Sequence, residues 1–299
     1  MKLAPPSLNA ASSIGAILVD SGKLTLEAAE RVMRAQKEHG LLFGDAAIQL
    51  GLSSSEDIAF ALARQYDYPY LRHGDGELSP ELVAAYQPFS AQVEALRALR
   101  SQLMLRWFTG EQTHRTLAVL SPARGEGRSY LAANLAVVFS QLGERTLLID
   151  ADMRNPRQHT LFNQENRAGL SSFLSGRGVS SDIKRIPSFI DLSLLPAGPK
   201  PPNPQELLGR PPFTKLLNDV AQEYDVVIID TPAAAEYGDA RTIAVRANGA
   251  LLLAQKKETR VAEVRELVKH LTQSGVVVVG SVLNEPARIK ETKKSWFKR

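Results

Sequence analysis

Cysteine is absent from the 299 residues, which excludes disulfides, thiolate-bound zinc and thiol nucleophiles. Histidine is scarce: five residues, scattered along the chain, give no basis for a His-built metal centre. No apolar run approaches the ~18 residues of a membrane span. The opening Met1-Lys-Leu-Ala-Pro-Pro-Ser7 lacks the apolar core of a secretory signal, so a cytoplasmic location is expected. Charge of one sign is also missing. Lys and Arg number 36 against 32 Asp and Glu, a net +4 that gives no reason to expect a nucleic-acid partner. What remains, 44% apolar and 23% charged residues, is ordinary globular composition with room for about two domains.

One stretch organises the rest. Leu117-Ala-Val-Leu-Ser-Pro-Ala-Arg-Gly-Glu-Gly-Arg-Ser129 runs from an apolar strand through a Gly-bearing loop into an apolar-periodic helix. That order gathers backbone N–H groups and a helix N-terminus around one point, a seat for phosphate. Compared with G-x-x-x-x-G-K-[ST], Gly127 and Ser129 fit, Pro122 takes the first Gly position and Arg128 the Lys position. A planar guanidinium can still set positive charge on a phosphate, with different geometry from an ammonium. Two apolar runs deliver carboxylates at their ends: Thr146-Leu-Leu-Ile-Asp150 with Asp152 beyond it, and Asp225-Val-Val-Ile-Ile-Asp230. Each Asp alone can be a helix cap, and the loop alone a tight turn. Together, at the carboxyl ends of parallel strands, they can converge on a phosphate chain with Mg²⁺ between them.

Residues 12–71 carry an internal repeat. Gly15, Gly22 and Gln36 in the first copy match Gly44, Gly51 and Gln65 in the second. Each copy reads as a short helix, a Gly stop, a capping Thr25 or Ser54, and a longer amphipathic helix over 26–36 or 55–65. A connector follows over 72–89. Residues 90–108 read as a helix with Val93, Leu96, Leu99 and Leu103 on one face and Glu94, Arg97 and Arg100 on a neighbouring charged stripe. Strands are expected at 116–121, 145–150, 192–195, 225–230, 249–254 and 276–283. Helices are expected at 129–142, 169–175, 204–222, 238–247 and 259–273. Such alternation predicts an α/β fold with a mainly parallel sheet covered on both faces over residues 90–284, beside a small helical N-terminal domain. The Pro-rich stretch 199–212 reads as a rim or surface connection. The tail, 285–299, is basic with two aromatics and suits an anionic membrane surface, or simply a solvated end.

The loop, the Leu148-Ile-Asp-Ala-Asp-Met-Arg-Asn-Pro156 segment and Val227-Ile-Ile-Asp-Thr-Pro232 resemble the Walker A, A′ and B motifs of bacterial tyrosine kinases of the exopolysaccharide chain-length-determinant type. Glu94-x-x-Arg97-x-x-Arg100 resembles that family's oligomerisation helix, and Gly280-Ser-Val-Leu-Asn284 places Asn284 where related ATPases contact adenine. The resemblance implies ATP and Mg²⁺ as cofactors. Phosphates would lie on the backbone from Gly125 through Glu126, Gly127, Arg128 and Ser129 to Tyr130. Arg128 would act on the β/γ-phosphates, Ser129, Asp152 and Asp230 would hold the metal, and Asp150 would assist a tyrosine hydroxyl or the metal. It also implies a homo-oligomer and a membrane polysaccharide co-polymerase as partner, with the chain peripheral to the inner membrane through that partner. Departures are Arg128 itself, Thr231-Pro-Ala233 in place of Thr-Pro-Pro, no membrane-spanning co-polymerase segment, and no C-terminal tyrosine cluster, Tyr237 being the last tyrosine. The alternatives are a nucleotide-binding scaffold with little turnover and a Min- or Par-like ATPase, whose signature Lys is Ala123 here. The repeat resembles the N-terminal domain of type II secretion and pilus ATPases. Ligand-binding versions carry a basic residue at the positions of Ser13 and Leu42, so protein docking is expected rather than cyclic di-GMP binding.

Overall fold

The computed structural model describes residues 13–66, 71, 78–179 and 182–285; the basic tail beyond Glu285 and much of the connector lie outside them. In the N-terminal domain the repeat becomes four helices: α1 (Ile14–Asp20), α2 (Leu26–His39), α3 (Phe43–Gln49) and α4 (Ser55–Gln65). Thr25 caps α2 through the amide of Ala28 at 3.2 Å. Ser54 and Asp57 form a reciprocal capping box at α4. Gly22 and Gly51 take the left-handed turn at φ +69° and +65° that ends each short helix. The copies are interlocked, for α1 packs on α4 and α2 on α3. Lys23, between α1 and α2, pairs with Asp57 of α4 and ties one copy to the other.

The larger domain places seven strands in one sheet: β1 (Thr116–Leu120), β2 (Thr146–Asp150), β3 (Lys184–Arg185), β4 (Leu192–Leu195), β5 (Val226–Asp230), β6 (Gly249–Gln255) and β7 (Val277–Asn284). Their order is β3-β4-β2-β5-β1-β6-β7. Every pairing is parallel except β3 with β4. The central strands β1, β2 and β5 are buried along their whole length, as all-apolar runs covered on both faces require. One face is covered by α5 (Val83–Tyr86), α6 (Ala91–Arg106) and α7 (Arg128–Ser140), with α8 (Gln158–Leu161) at its edge. The other is covered by α9 (Leu170–Leu174), α10 (Pro204–Gly209), α11 (Pro211–Glu223), α12 (Asp239–Ala247) and α13 (Val261–Gln273). Among the described residues no helix is long and apolar enough to cross a membrane.

All six expected strands are present. Two expectations change. The single helix over 204–222 is two helices, α10 and α11, because Arg210 is extended at ψ 156°, as a residue before proline prefers, and Pro211 opens a new first turn. Of the connector expected over 72–89, residues 72–77 lie outside the described residues, and from 78 onward the segment is packed structure. Leu82, Ala84 and Ala85 are fully buried, and the segment is stitched to α7. Asn134 Oδ1 accepts from the Ala84 amide at 2.9 Å, and Gln141 donates to the Ala84 carbonyl at 3.0 Å. The two-residue strand β3 and the short helix α8 are too brief to leave a periodic signal.

Candidate functional site

The loop from Ser121 to Gly127 leaves β1 and turns into α7 with Gly125 at φ +78° and Gly127 at φ +101°. A side chain at 127 would be strained in that conformation, and its Cβ would lie 2.6 Å from Nδ2 of Asn284. Asn284, at the end of β7, donates that nitrogen to the Glu126 carbonyl at 2.9 Å. Glu126 is buried. Its Oε2 accepts from the Ala123 amide at 2.7 Å, and its Oε1 from the Thr259 hydroxyl. The turn is therefore held from three sides. The backbone amides of residues 125–130 donate to no protein acceptor among the described residues. Six N–H groups around one turn at a helix N-terminus form an anion cradle.

Arg128 is placed otherwise than expected for a phosphate ligand. It is 8% exposed. Its Nε donates to the Thr231 carbonyl at 2.9 Å, and Nη1 to the Ala123 carbonyl at 2.6 Å and to the Ser121 hydroxyl. The guanidinium thus joins the loop to the end of β5, and Nη2 alone has no hydrogen bond among the described residues. A single-headed ammonium could not make this joint.

Asp150 and Asp230 end the adjacent strands β2 and β5 in direct register, and both are fully buried. Asp150 accepts three backbone N–H groups: Asp152 at 3.2 Å on Oδ1, and Arg157 at 3.0 Å and Gln158 at 2.9 Å on Oδ2. Burial, followed by the charge of Asp230, nevertheless pushes its pKa well above the usual carboxylate range. Burial pushes Asp230 up to about 6, against the opposing influence of the Gln158 and Ser129 side chains and the charge of Arg128. Its Oδ2 accepts from Gln158 Nε2 at 2.7 Å, while Oδ1 is buried with no hydrogen-bond partner. Asp152 is half-buried; its Oδ1 accepts the amides of Arg154 at 3.2 Å and Asn155 at 2.9 Å, which shapes the turn after β2.

The remaining expected residues lie around this centre. Tyr130 accepts a hydrogen bond from Gln92 at 2.7 Å, and burial with the nearby Glu81 charge pushes its phenol up to about 12. Tyr130, Asn284, Gly127, Leu96 and Leu253 line a cavity of about 360 Å³ beside the loop. On α6, Glu94 pairs with Arg97 at 3.2 Å, and Arg100 donates to the Val138 carbonyl of α7 at 2.7 Å. Sequence reasoning missed Gln158, whose buried amide touches both Ser129 and Asp230. Arg154 is part of the Asp-x-Asp-x-Arg segment, but its partner is not legible there: its fork closes on Asp239 at 2.7 and 3.1 Å while its guanidinium lies 3.8 Å from the Tyr237 ring centroid. Arg154 and Asp239 are 85 residues apart, so no local pattern joins them.

Free amides beside a buried carboxylate oxygen without a donor are the requirements of a phosphate chain and a hard divalent cation, so the residues present fit both.

The AAA domain family (AAA_31) matches residues 114–273. The putative tyrosine-protein kinase CapB of Staphylococcus aureus is 35% identical over 67% of this chain and 86% of its own length. The tyrosine-protein kinase wzc of Salmonella typhimurium is 34% identical over 68% of this chain, which spans only 28% of that longer protein. Among solved structures, the kinase domain of Escherichia coli tyrosine kinase ETK superposes with a TM-score of 0.66 at 31% identity, over 76% of this chain and 88% of that one. A nucleotide-binding loop, two strand-end carboxylates and these relatives agree: the chain belongs to the bacterial tyrosine-protein kinases built on this AAA domain.

Proposed function

We propose that this chain transfers the γ-phosphoryl group of ATP to a tyrosine hydroxyl and that the activity governs exopolysaccharide chain length and export through a membrane co-polymerase. The observation that supports it is the meeting of free amides 125–130 with Asp150 and Asp230 at neighbouring strand ends. In the transfer the tyrosine oxygen bonds to the γ-phosphorus, the bond to the β–γ bridging oxygen breaks, and ADP leaves. Little covalent work falls to the protein, so its task is positioning and charge neutralisation. The amides from Gly125 to Tyr130 bind the phosphates, and Arg128 Nη2 adds one charged donor. Ser129, Asp152 and Asp230 would hold Mg²⁺, which when bound neutralises phosphate charge. Asp150, at the end of β2, takes up the phenolic proton. Asn284 and the cavity beside it take the adenine end. Glu94, Arg97 and Arg100 of α6 form the contact between copies in a homo-oligomer. The N-terminal repeat docks a protein; calorimetry with cyclic di-GMP is expected to show no heat. The basic tail adds an anionic membrane surface as a further contact.

Incubation with γ-³²P-ATP, followed by phosphotyrosine detection, tests this. Label is expected on the cytoplasmic part of the co-polymerase or on an added tyrosine polymer, and absence of transfer to any of these ends the kinase reading. One observation favours a second reading, a nucleotide-binding scaffold with little turnover: three hydrogen bonds already hold the Arg128 guanidinium to the protein. Tight ATP binding without transfer, with activity appearing in Arg128→Lys, would establish it.

A further inference from the structure

Gln158 belongs to none of the motifs, yet it touches all three. Its backbone N–H donates to Asp150 Oδ2 at 2.9 Å, and its side-chain Nε2 donates to the Ser129 carbonyl at 3.0 Å and to Asp230 Oδ2 at 2.7 Å. The residue is fully buried, and α8, the helix it opens, is only a single turn. Both Nε2 hydrogens are therefore spent, one on the first turn of α7 and one on the end of β5.

Two oxygens are left over. Gln158 Oε1 and Asp230 Oδ1 are each buried with no hydrogen bond. They belong to the same 2.7 Å amide–carboxylate pair. An orphaned buried acceptor costs stability, and an apolar residue at 158 would carry no such oxygen. An amide that served only to fill space would leave this arrangement without purpose. Two donor-less oxygens at the edge of a phosphate cradle suit a hydrated divalent cation or its waters, which supply positive charge and O–H donors together. By occupying Oδ2, the amide also decides which oxygen Asp230 presents.

We infer that Gln158 is a positioning residue that fixes the Asp230 carboxylate so that Oδ1 faces the cation accompanying the nucleotide, and thereby sets the dependence of nucleotide binding on Mg²⁺. The inference rests on the magnesium-nucleotide reading above. Outer partners that orient a metal-binding carboxylate change metal affinity by about 10–100-fold when removed.

The test uses the whole chain and a fluorescent ADP analogue, titrated with Mg²⁺ and, separately, in EDTA. Gln158→Ala is expected to raise the Mg²⁺ concentration for half-maximal gain in nucleotide affinity about tenfold, and to leave affinity in EDTA within about twofold. Gln158→Met, which keeps side-chain volume and lacks the donor, is expected to do the same and serves if the alanine variant does not fold. Gln141→Ala removes a side-chain bond of 3.0 Å at the far end of α7 and is expected to leave the Mg²⁺ response unchanged. Equal losses in Mg²⁺ and EDTA, or no change in either, overturn the inference. If the native chain binds no nucleotide under either condition, the magnesium-nucleotide reading fails, and this inference falls with it.

Discussion

Strands β2 and β5 lie side by side, and their two ends are opposites. At the amino ends, Arg145 closes a fork on Asp225 at 2.9 and 2.7 Å, with Arg115 a further 4.0 Å contact. Arg145's hydrogen bonds hold the Asp225 carboxyl below its usual range. At the carboxyl ends, Asp150 and Asp230 stand in register, buried and lifted above theirs. The same two strands thus carry matched charge in solvent and mismatched charge in the interior. The lesson is that this fold leaves its negative charge uncompensated where a ligand can bring the balance. A pair that closed on itself at the top would leave nothing for a cation to do.

The comparison can be broken most severely at Asp230. Asp230→Asn is expected to lower tyrosine phosphorylation by about 100-fold or more, read by γ-³²P transfer. The same variant should make the ligand-free chain more stable at neutral pH by about 2 kcal/mol, read by denaturant melts. If removing this charge destabilises the ligand-free protein, the carboxyl ends are not strained. Next in size, Arg128→Lys should trade the joint to Thr231 for a mobile ammonium and raise transfer about tenfold at some loss of thermal stability. An unchanged rate would mean that the joint does not compete with phosphate.

A pH series sharpens the contrast. The Asp230 pKa is raised on folding, so its penalty is absent below the unfolded value near 4. The penalty grows as pH rises and is complete above about 6. The stability gap between Asp230→Asn and the native chain should open as pH rises through that window. Asp225 runs the other way: its lowered pKa contributes stability that is present above the unfolded value and lost as pH falls through the folded one. The smallest effect is expected at Arg145→Ala, a slight loss of stability that shrinks with salt, as for exposed pairs. Nucleotide affinity should not change. A large affinity loss there would show that the two ends are coupled through the strands.

Much of this was legible in the sequence, and for physical reasons. Val226–Ile229 and Leu147–Ile149 are short apolar runs with no polar alternation, the signature of strands buried on both faces, and an Asp directly after such a run must sit at a strand end. Gly125 and Gly127 mark a turn that needs left-handed backbone. Arg128 was legible as a residue and illegible as a rotamer, because its direction is set by the Thr231 carbonyl, 103 residues away. Gln158 gave no signal, since an amide in a short polar stretch looks like any loop residue until α8 folds back under α7. The segment around Leu82-Val-Ala-Ala85 reads as a connector because Gly74, Asp75, Gly76, Pro80 and Pro88 surround it and one helical turn is too short to show a period. It is buried by packing against α7, while Asn134 and Gln141 hold the Ala84 backbone.

The crossed packing of the N-terminal repeat has a consequence of its own. Because α1 leans on α4 and α3 on α2, Leu18, Val32 and Ala61 share one interior to which both copies contribute. Either copy in isolation would leave that interior open to water. The duplication is a clasp rather than two beads. Loosening one hook should release the other, so the four helices are expected to melt in a single transition.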